Sequence, residues 1–261
     1  MSENLLHGKI PTTIANLSQL NQLVLAKNKL QGSIPTSIRN LFFLSALNLS
    51  HNELNGTIPG DTFSQLSSRT QYLDLSHNKL IGHLPSEINS LINLNMLDVS
   101  ENRLSGNIPG SLGACQLLGQ LFMQRNFFEG IIPLGLSGLK GIQELDLSCN
   151  NLSGPIPEFF EGFRLLHSLN LSFNDLTGQV PQRGVFANAS AISVIGNSKL
   201  CGHDRDSHLQ PCKSVEGMSS QRSSLLKVIL PLVAVSMLVI LVSAAYYIWK
   251  QRPKGNLLTP I

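Results

Sequence analysis

The sequence predicts an α/β-type repeat, a solenoid of short parallel strands, and three observations carry that reading. Eight asparagines, Asn4, Asn28, Asn52, Asn78, Asn102, Asn126, Asn150 and Asn174, recur at intervals of 24 residues with one interval of 26. Around them runs one pattern, L-x-x-L-x-x-L-x-L-x-x-N-x-L-x-G-x-I-P, complete in Leu17, Leu20, Leu23, Leu25, Asn28, Leu30, Gly32, Ile34 and Pro35. A glycine follows each asparagine four residues on, from Gly8 to Gly178, and a proline follows each of these glycines three residues later.

Each position has a physical reason. Leucines spaced by one residue, such as Leu47 and Leu49 or Leu73 and Leu75, read as a strand with one face inward. An asparagine at the exit of that strand offers two amide donors and a carbonyl acceptor, so it can satisfy backbone groups of its own coil and of its neighbour, which aspartate cannot. The ladder formed this way comprises Asn28, Asn52, Asn78, Asn102, Asn126, Asn150 and Asn174. Glycine permits backbone conformations or close coil contacts that a side chain would obstruct, and proline stiffens the segment leaving it. A repeat of this length and pattern is a leucine-rich-repeat solenoid, with a concave face of parallel strands and a convex side of irregular and 3-10 structure. No coil buries its apolar edge alone, so stability is nearest-neighbour. At roughly 1.5–3 kcal/mol per fully buried leucine or isoleucine, several coils are needed to offset the ordering entropy. Strands about 4.8 Å apart give a slab roughly 35–40 Å long.

Charge excludes some functions. Up to Gly202 the chain carries 12 Lys and Arg against 13 Asp and Glu, while the remainder carries seven against three, so the net charge of +3 belongs to the tail. Without a basic stripe on the repeats, and with only 6% aromatic residues, a nucleic-acid partner is not expected. No cofactor is expected either.

Cys115 occupies the slot of Leu17, Leu41, Leu91 and Leu139 and reads as a small buried hydrophobe, while Cys149 precedes Asn150 on the exposed strand side; the two should not pair. Cys201 and Cys212 lie just past the last repeat, where an oxidising compartment would let them staple the open end. Six acceptor sequons, at Asn16, Asn48, Asn55, Asn151, Asn170 and Asn188, all precede the long hydrophobic segment.

That segment, Val228 to Trp249, has 22 residues without a charge and as a helix would span about 33 Å, enough for one bilayer crossing. Tyr246, Tyr247 and Trp249 form an aromatic belt, followed by Lys250, Arg252 and Lys254, which places that end in the cytosol and the repeats outside the plasma membrane. The expected organisation is therefore repeats over 1–181 with the first incomplete, a cap over 182–212, an extracellular linker over 213–227, a transmembrane helix over 228–249 and a cytoplasmic stub over 250–261.

The repeat with I-P after glycine, and the stretches Leu139–Phe160, Leu169–Pro181, Gly184–Ile192 and Gly196–Gly202, resemble the plant leucine-rich-repeat receptor-like serine/threonine kinases, in particular their innate-immunity subfamily. The resemblance implies recognition of a peptide or protein ligand on the strand face and lateral pairing with a leucine-rich-repeat co-receptor near Phe173, Asp175, Gln182 and Asn188. It also implies that Cys201 and Cys212 are the paired cysteines of the carboxy-terminal cap. The family's signal peptide, amino-terminal cap and kinase motifs are not among these residues, so the chain is not expected to be an enzyme. A kinase-less decoy regulator and a fragment of a receptor kinase in defence signalling stand as alternatives. Leu6, Ile10 and Ile14 are expected to form an uncovered apolar end.

Candidate ligand contacts follow from the sixth repeat, where large apolar and cationic residues replace the usual small polar ones. Phe122 and Arg125 stand out, and with Tyr72, Met96, Gln120 and Gln124 they form the expected patch, since aromatic and arginine side chains anchor interfaces. Asp74 and Asp98 lie on adjacent strands at the spacing of a retaining-glycosidase pair, but nothing encloses a sugar, so they read as solvated repeat residues. His51 and His77 hold equivalent positions on neighbouring coils. No third metal ligand joins them, and a pH-dependent surface is the better expectation.

Overall fold

A computed structural model of the protein describes residues 1–66, 69–202, 209–212, 233, 236–247 and 250, so the expected linker over 213–227 and nearly all of the expected stub lie outside the described residues. Residues 1–212 form one compact unit and 213–261 a second.

In the first unit every coil after the first begins with a short strand, and eight such strands, from Gln22–Val24 to Ile192–Ser193, form one parallel sheet in chain order. The register sets like on like: Leu23 opposite Leu47, Leu47 opposite Leu73, Leu73 opposite Leu97. A slip of one residue would turn every one of these leucines to solvent, so burial fixes the pairing. Leu47, Leu73 and Leu97 are at most 1% exposed, and Cys115 and Leu139 share the buried column foreseen for them.

The opposite side of the coil is more regular than its sequence suggested. Instead of irregular chain, the segment after each ladder asparagine is itself a strand, and nine of these, from His7–Lys9 to Lys199–Cys201, form a second parallel sheet. Its alternation explains it. Leu30 and Ile34 point inward and are buried, whereas Lys29, Gln31 and Ser33 are exposed. Gly32, at φ +78°, supplies the bend between them. Five-residue 3-10 turns such as Thr36–Asn40 and Ser86–Ser90 then close the coil, each entered through a proline already fixed near φ −70°. The single interval of 26 residues falls where this turn is the α-helix Gly60–Gln65, whose smaller rise per residue takes up a longer segment.

The ladder binds the coils together. Asn52 Oδ1 accepts from the Leu30 N–H at 3.0 Å, while its Nδ2 donates to the carbonyls of Leu25 (3.0 Å), Leu49 (3.1 Å) and Ser50 (3.1 Å). Asn78, Asn102, Asn126 and Asn150 repeat this arrangement. An eighth member, Asn197, was hidden by a shorter interval; its Oδ1 accepts from Leu176 N–H and its Nδ2 reaches the Leu171 carbonyl. Both sheets thus run past residue 181 into the cap. There Cys201 and Cys212 form a disulfide across 11 residues, Cα atoms 4.9 Å apart, while Cys115 and Cys149 are free.

At the other end the expected apolar face is smaller than foreseen. Leu6 is 41% exposed, but Ile10 is only 4% exposed and joins the core, and Ile14 packs against it half-buried. In the second unit residues 236–247 are helical, and no helix among the described residues is long and apolar enough to cross a membrane.

Candidate functional site

The first sheet leaves three columns of side chains facing outward, and its parallel register decides which residues meet. Tyr72, Met96, Gln120 and Glu144 stand in one row, and Asn48, Asp74, Asp98, Phe122 and Asp146 in the next. Tyr72, Met96, Gln120 and Phe122 are all half-buried and stand on adjacent strands. Gln120 Nε2 donates to Glu144 Oε1 at 3.1 Å. Burial, followed by the neighbouring Asp74, raises the Tyr72 phenol above its ordinary pKa.

The third column holds the residue before each ladder asparagine: Lys27, His51, His77, Glu101, Arg125, Cys149 and Phe173, all at φ between 52° and 54°. This left-handed turn, uncommon for residues other than glycine, was not legible from residue types so varied. Arg125 Nε lies 3.0 Å from Glu101 Oε1, so the exposed guanidinium reaches the patch already paired.

Gln124, half-buried like Phe122, stands in the column filled elsewhere by Ser50, Ser76, Ser100, Ser148 and Ser172, each at most 6% exposed. The reason those positions are serine is a local turn: Asn48, Asp74, Asp98, Asp146 and Asn170 each accept from the backbone N–H of the serine two residues on, at 2.8–3.2 Å. Asp74 also accepts from the Ser76 hydroxyl at 2.7 Å and is only 7% exposed, so it is a buried turn residue rather than a solvated one. Asp98 is half-buried beside it; burial lifts its carboxyl above the ordinary range, with Asp74 adding to the rise and Ser100 opposing it.

In the sixth coil that turn is absent. Phe122 cannot accept a hydrogen bond, and the buried Gln124 Oε1 has no partner among the described residues. A local rule kept by five coils is given up where the half-buried Phe122, the largest side chain of the row, stands.

The residues expected near a co-receptor are not gathered into one surface. Phe173, 58% exposed, stands at the rim of the first sheet, whereas Asp175 lies on the second sheet and pairs with Lys199 at 2.7 Å. Gln182 lines an open groove of about 510 Å³ with Pro157, Glu161, Pro181 and Arg183, and Asn188 caps the turn Ala189–Ala191. Of the sequons, Asn16, Asn55, Asn151 and Asn188 are exposed; Asn48 and Asn170 are half-buried turn residues on the first sheet. Among the described residues no cluster of three or more metal-ligating side chains occurs.

Models of the leucine-rich repeat match residues 19–41, 43–65, 69–91, 93–115 and 117–176, which together are more than half of the chain. The chain belongs to the leucine-rich-repeat family. Among solved structures it is similar to the ectodomain of the Arabidopsis thaliana membrane receptor kinase GASSHO1/SCHENGEN3 in complex with Casparian strip integrity factor 2. The identity is 32%, the TM-score 0.73, and 82% of this chain and 28% of that one are covered. It is similar to the Arabidopsis receptor kinase HAESA in complex with the peptide hormone IDA and the co-receptor SERK1, at 32% identity and TM-score 0.69, over 78% of this chain and 37% of that one. A plant ice-binding protein matches at 29% identity and TM-score 0.67, over 82% of this chain and 66% of that one. The chain thus spans roughly a third of the length of the two receptor chains. No curated protein sequence matches.

Proposed function

We propose that this leucine-rich-repeat chain is the extracellular recognition module of a plant receptor, which binds a peptide or protein ligand across the exposed face of the first sheet and pairs with a co-receptor near the last coils. Residues 228–249 would anchor it in the plasma membrane, with no catalysis in the chain itself. One observation carries the ligand site: the sixth coil gives up the turn its neighbours keep, with the half-buried Phe122 in place of the turn-forming Asp or Asn and, two residues on, a buried Gln124 Oε1 that has no partner among the described residues. The receptors similar in structure include one in complex with a peptide hormone and a co-receptor, which supports the same use of the fold. For the anchor, residues 236–247 are helical, and Ser236 and Ser243 turn their hydroxyls back onto the carbonyls of Val233 and Val239 at 2.8 and 2.7 Å, as polar side chains do where water is scarce.

The likeness to an ice-binding protein does not carry the function over. A lattice ligand calls for one exposed side chain repeated from coil to coil, but the second sheet's outer column reads Lys29, Glu53, Lys79, Arg103, Phe127, Asn151.

The test displays the full chain on plant cells and screens a synthetic peptide library against wild type, Phe122→Ala and Tyr72→Ala. A ligand of this face should lose on the order of 30-fold in affinity on removal of a central aromatic anchor. Binding indifferent to both substitutions would remove the site. Protease protection of the repeats in microsomes, with a mass shift on deglycosylation, tests the topology separately.

A further inference from the structure

His51 and His77 are used by neither the core nor the ladder, yet they are held together closely. Their rings stack with centroids 4.0 Å apart and planes at 13°. The contact is built in by the repeat: both residues take the left-handed turn at φ 52°, one coil apart, with the His51 N–H donating to the Ser76 carbonyl and the His77 N–H to the Ser100 carbonyl. Face-to-face stacking points the ring nitrogens past each other rather than at one point, which disfavours a shared metal ion. It suits two neutral rings, or one neutral and one protonated, but not two cations.

The charged groups around the pair are few. Along the same column Lys27 stands on the preceding coil and is paired with Glu3 at 2.6 Å, and Glu101 stands on the following coil and is paired with Arg125 at 3.0 Å. Across the strands lie the carboxyls of Asp74 and Asp98 and the phenol of Tyr72. With the two ion pairs internally balanced, the aspartates are the uncompensated charges, and any proton on the histidines falls next to them.

We propose that the His51–His77 stack is a proton-responsive element of the recognition face, taking one proton readily and a second only at distinctly lower pH, and setting that charge beside Asp74 and Asp98. Acidification would then change the middle of the face from anionic toward neutral without moving the backbone, and a cationic ligand group would bind there more weakly. Two unit charges 4.0 Å apart in water separate the two protonation steps by ~0.8 pH unit, and more where water is excluded. Burial first, and then His77, hold the His51 imidazole below its ordinary pKa, with Lys27 adding to them and the aspartates opposing, in accord with this geometry.

The experiment is an NMR titration of the full chain in mild detergent, labelled at histidine Cε1, from pH 4.5 to 8. His77→Asn keeps a residue that tolerates the left-handed turn; the expected result is a rise of the His51 midpoint by ~0.5 pH unit or more. His77→Lys places a fixed charge where the equivalent Lys27 already adopts this backbone; the expected result is a fall of the His51 midpoint by ~0.8 pH unit. Opposite shifts support the proposal. A His51 midpoint within 0.2 pH unit of wild type (roughly the precision of such a titration) in the two variants overturns it.

Discussion

Replacing a central ladder asparagine tests the claim on which the architecture rests, and Asn102→Ala is the sharpest form. Asn102 is 7% exposed; its Oδ1 accepts from the Leu80 N–H at 3.0 Å, and its two amide hydrogens are shared among the carbonyls of Leu75 (3.0 Å), Val99 (3.2 Å) and Ser100 (3.0 Å). Truncation leaves the Leu80 N–H buried without its side-chain acceptor, which costs ~1–3 kcal/mol, and removes about two further bonds of ~1 kcal/mol each. The Leu75 carbonyl keeps Asn78 as a second donor, which limits the damage. The sum is ~3–5 kcal/mol. Asn4→Ala is the internal control, since Asn4 is exposed and its amide reaches only the local carbonyls of Met1 and Ser2; its loss should cost less than ~0.5 kcal/mol. Asn102→Asp should be at least as damaging as alanine at neutral pH, because an ionised carboxylate would face three carbonyls, and should recover as acid protonates it. Urea unfolding followed by circular dichroism gives the magnitude, and amide exchange at Leu80 against Leu30 shows whether the loss is local, as nearest-neighbour coils require. A cost for Asn102→Ala within 1 kcal/mol of that for Asn4→Ala would refute the ladder as the tie between coils.

Two further predictions concern the cysteines. Cys212→Ser opens a loop of 11 residues and should cost about 2–3 kcal/mol, read as faster amide exchange in Lys199–Cys201 and in the adjoining Asp175–Gln179 but not in the earlier coils. Burial pushes the Cys115 thiol up to about 11, whereas Cys149 is half-exposed; iodoacetamide at pH 8 should therefore label Cys149 in the folded protein and Cys115 only after unfolding, as mass spectrometry of tryptic peptides would resolve.

How much of this was legible follows from which interactions repeat. The leucine columns, the ladder and the positive-φ glycines recur in nearly every coil, so their period displays them in the sequence. The second sheet was missed because its inward residues are separated by a glycine, so that Leu30-x-Gly32-x-Ile34 reads as a bend although its backbone pairs with the coils on either side. The left-handed residue before each asparagine was missed for the opposite reason: backbone hydrogen bonds to the next coil fix it, so lysine, histidine, arginine and phenylalanine all serve and no residue type marks it. Contacts peculiar to one pair of coils leave the least trace. A Cβ on Gly135 would run into the carbonyl oxygen of Gly110, one on Gly113 into that of Gly135 and one on Gly138 into that of Gly113, so close approach there depends on three glycines that stand outside the repeat pattern.

The same distinction separates scaffold from site. A residue that closes a turn, such as Asp74 on Ser76, is explained by its own coil, and its carboxylate needs no ligand to account for it; this is why the pair Asp74 and Asp98, although adjacent, gives no case for acid–base chemistry. Phe122 is not explained by its coil. It forfeits the turn its counterparts make, is no part of the core that Leu121 and Met123 join, and stands two residues from a buried Gln124 oxygen that has no partner among the described residues. Val24 and Ala26 forfeit the same turn in the second coil, but with small side chains that strand no polar atom. Loss of the turn alone is therefore tolerated drift, and it is its loss together with a half-buried aromatic and an unpartnered amide oxygen on which the proposed ligand site rests.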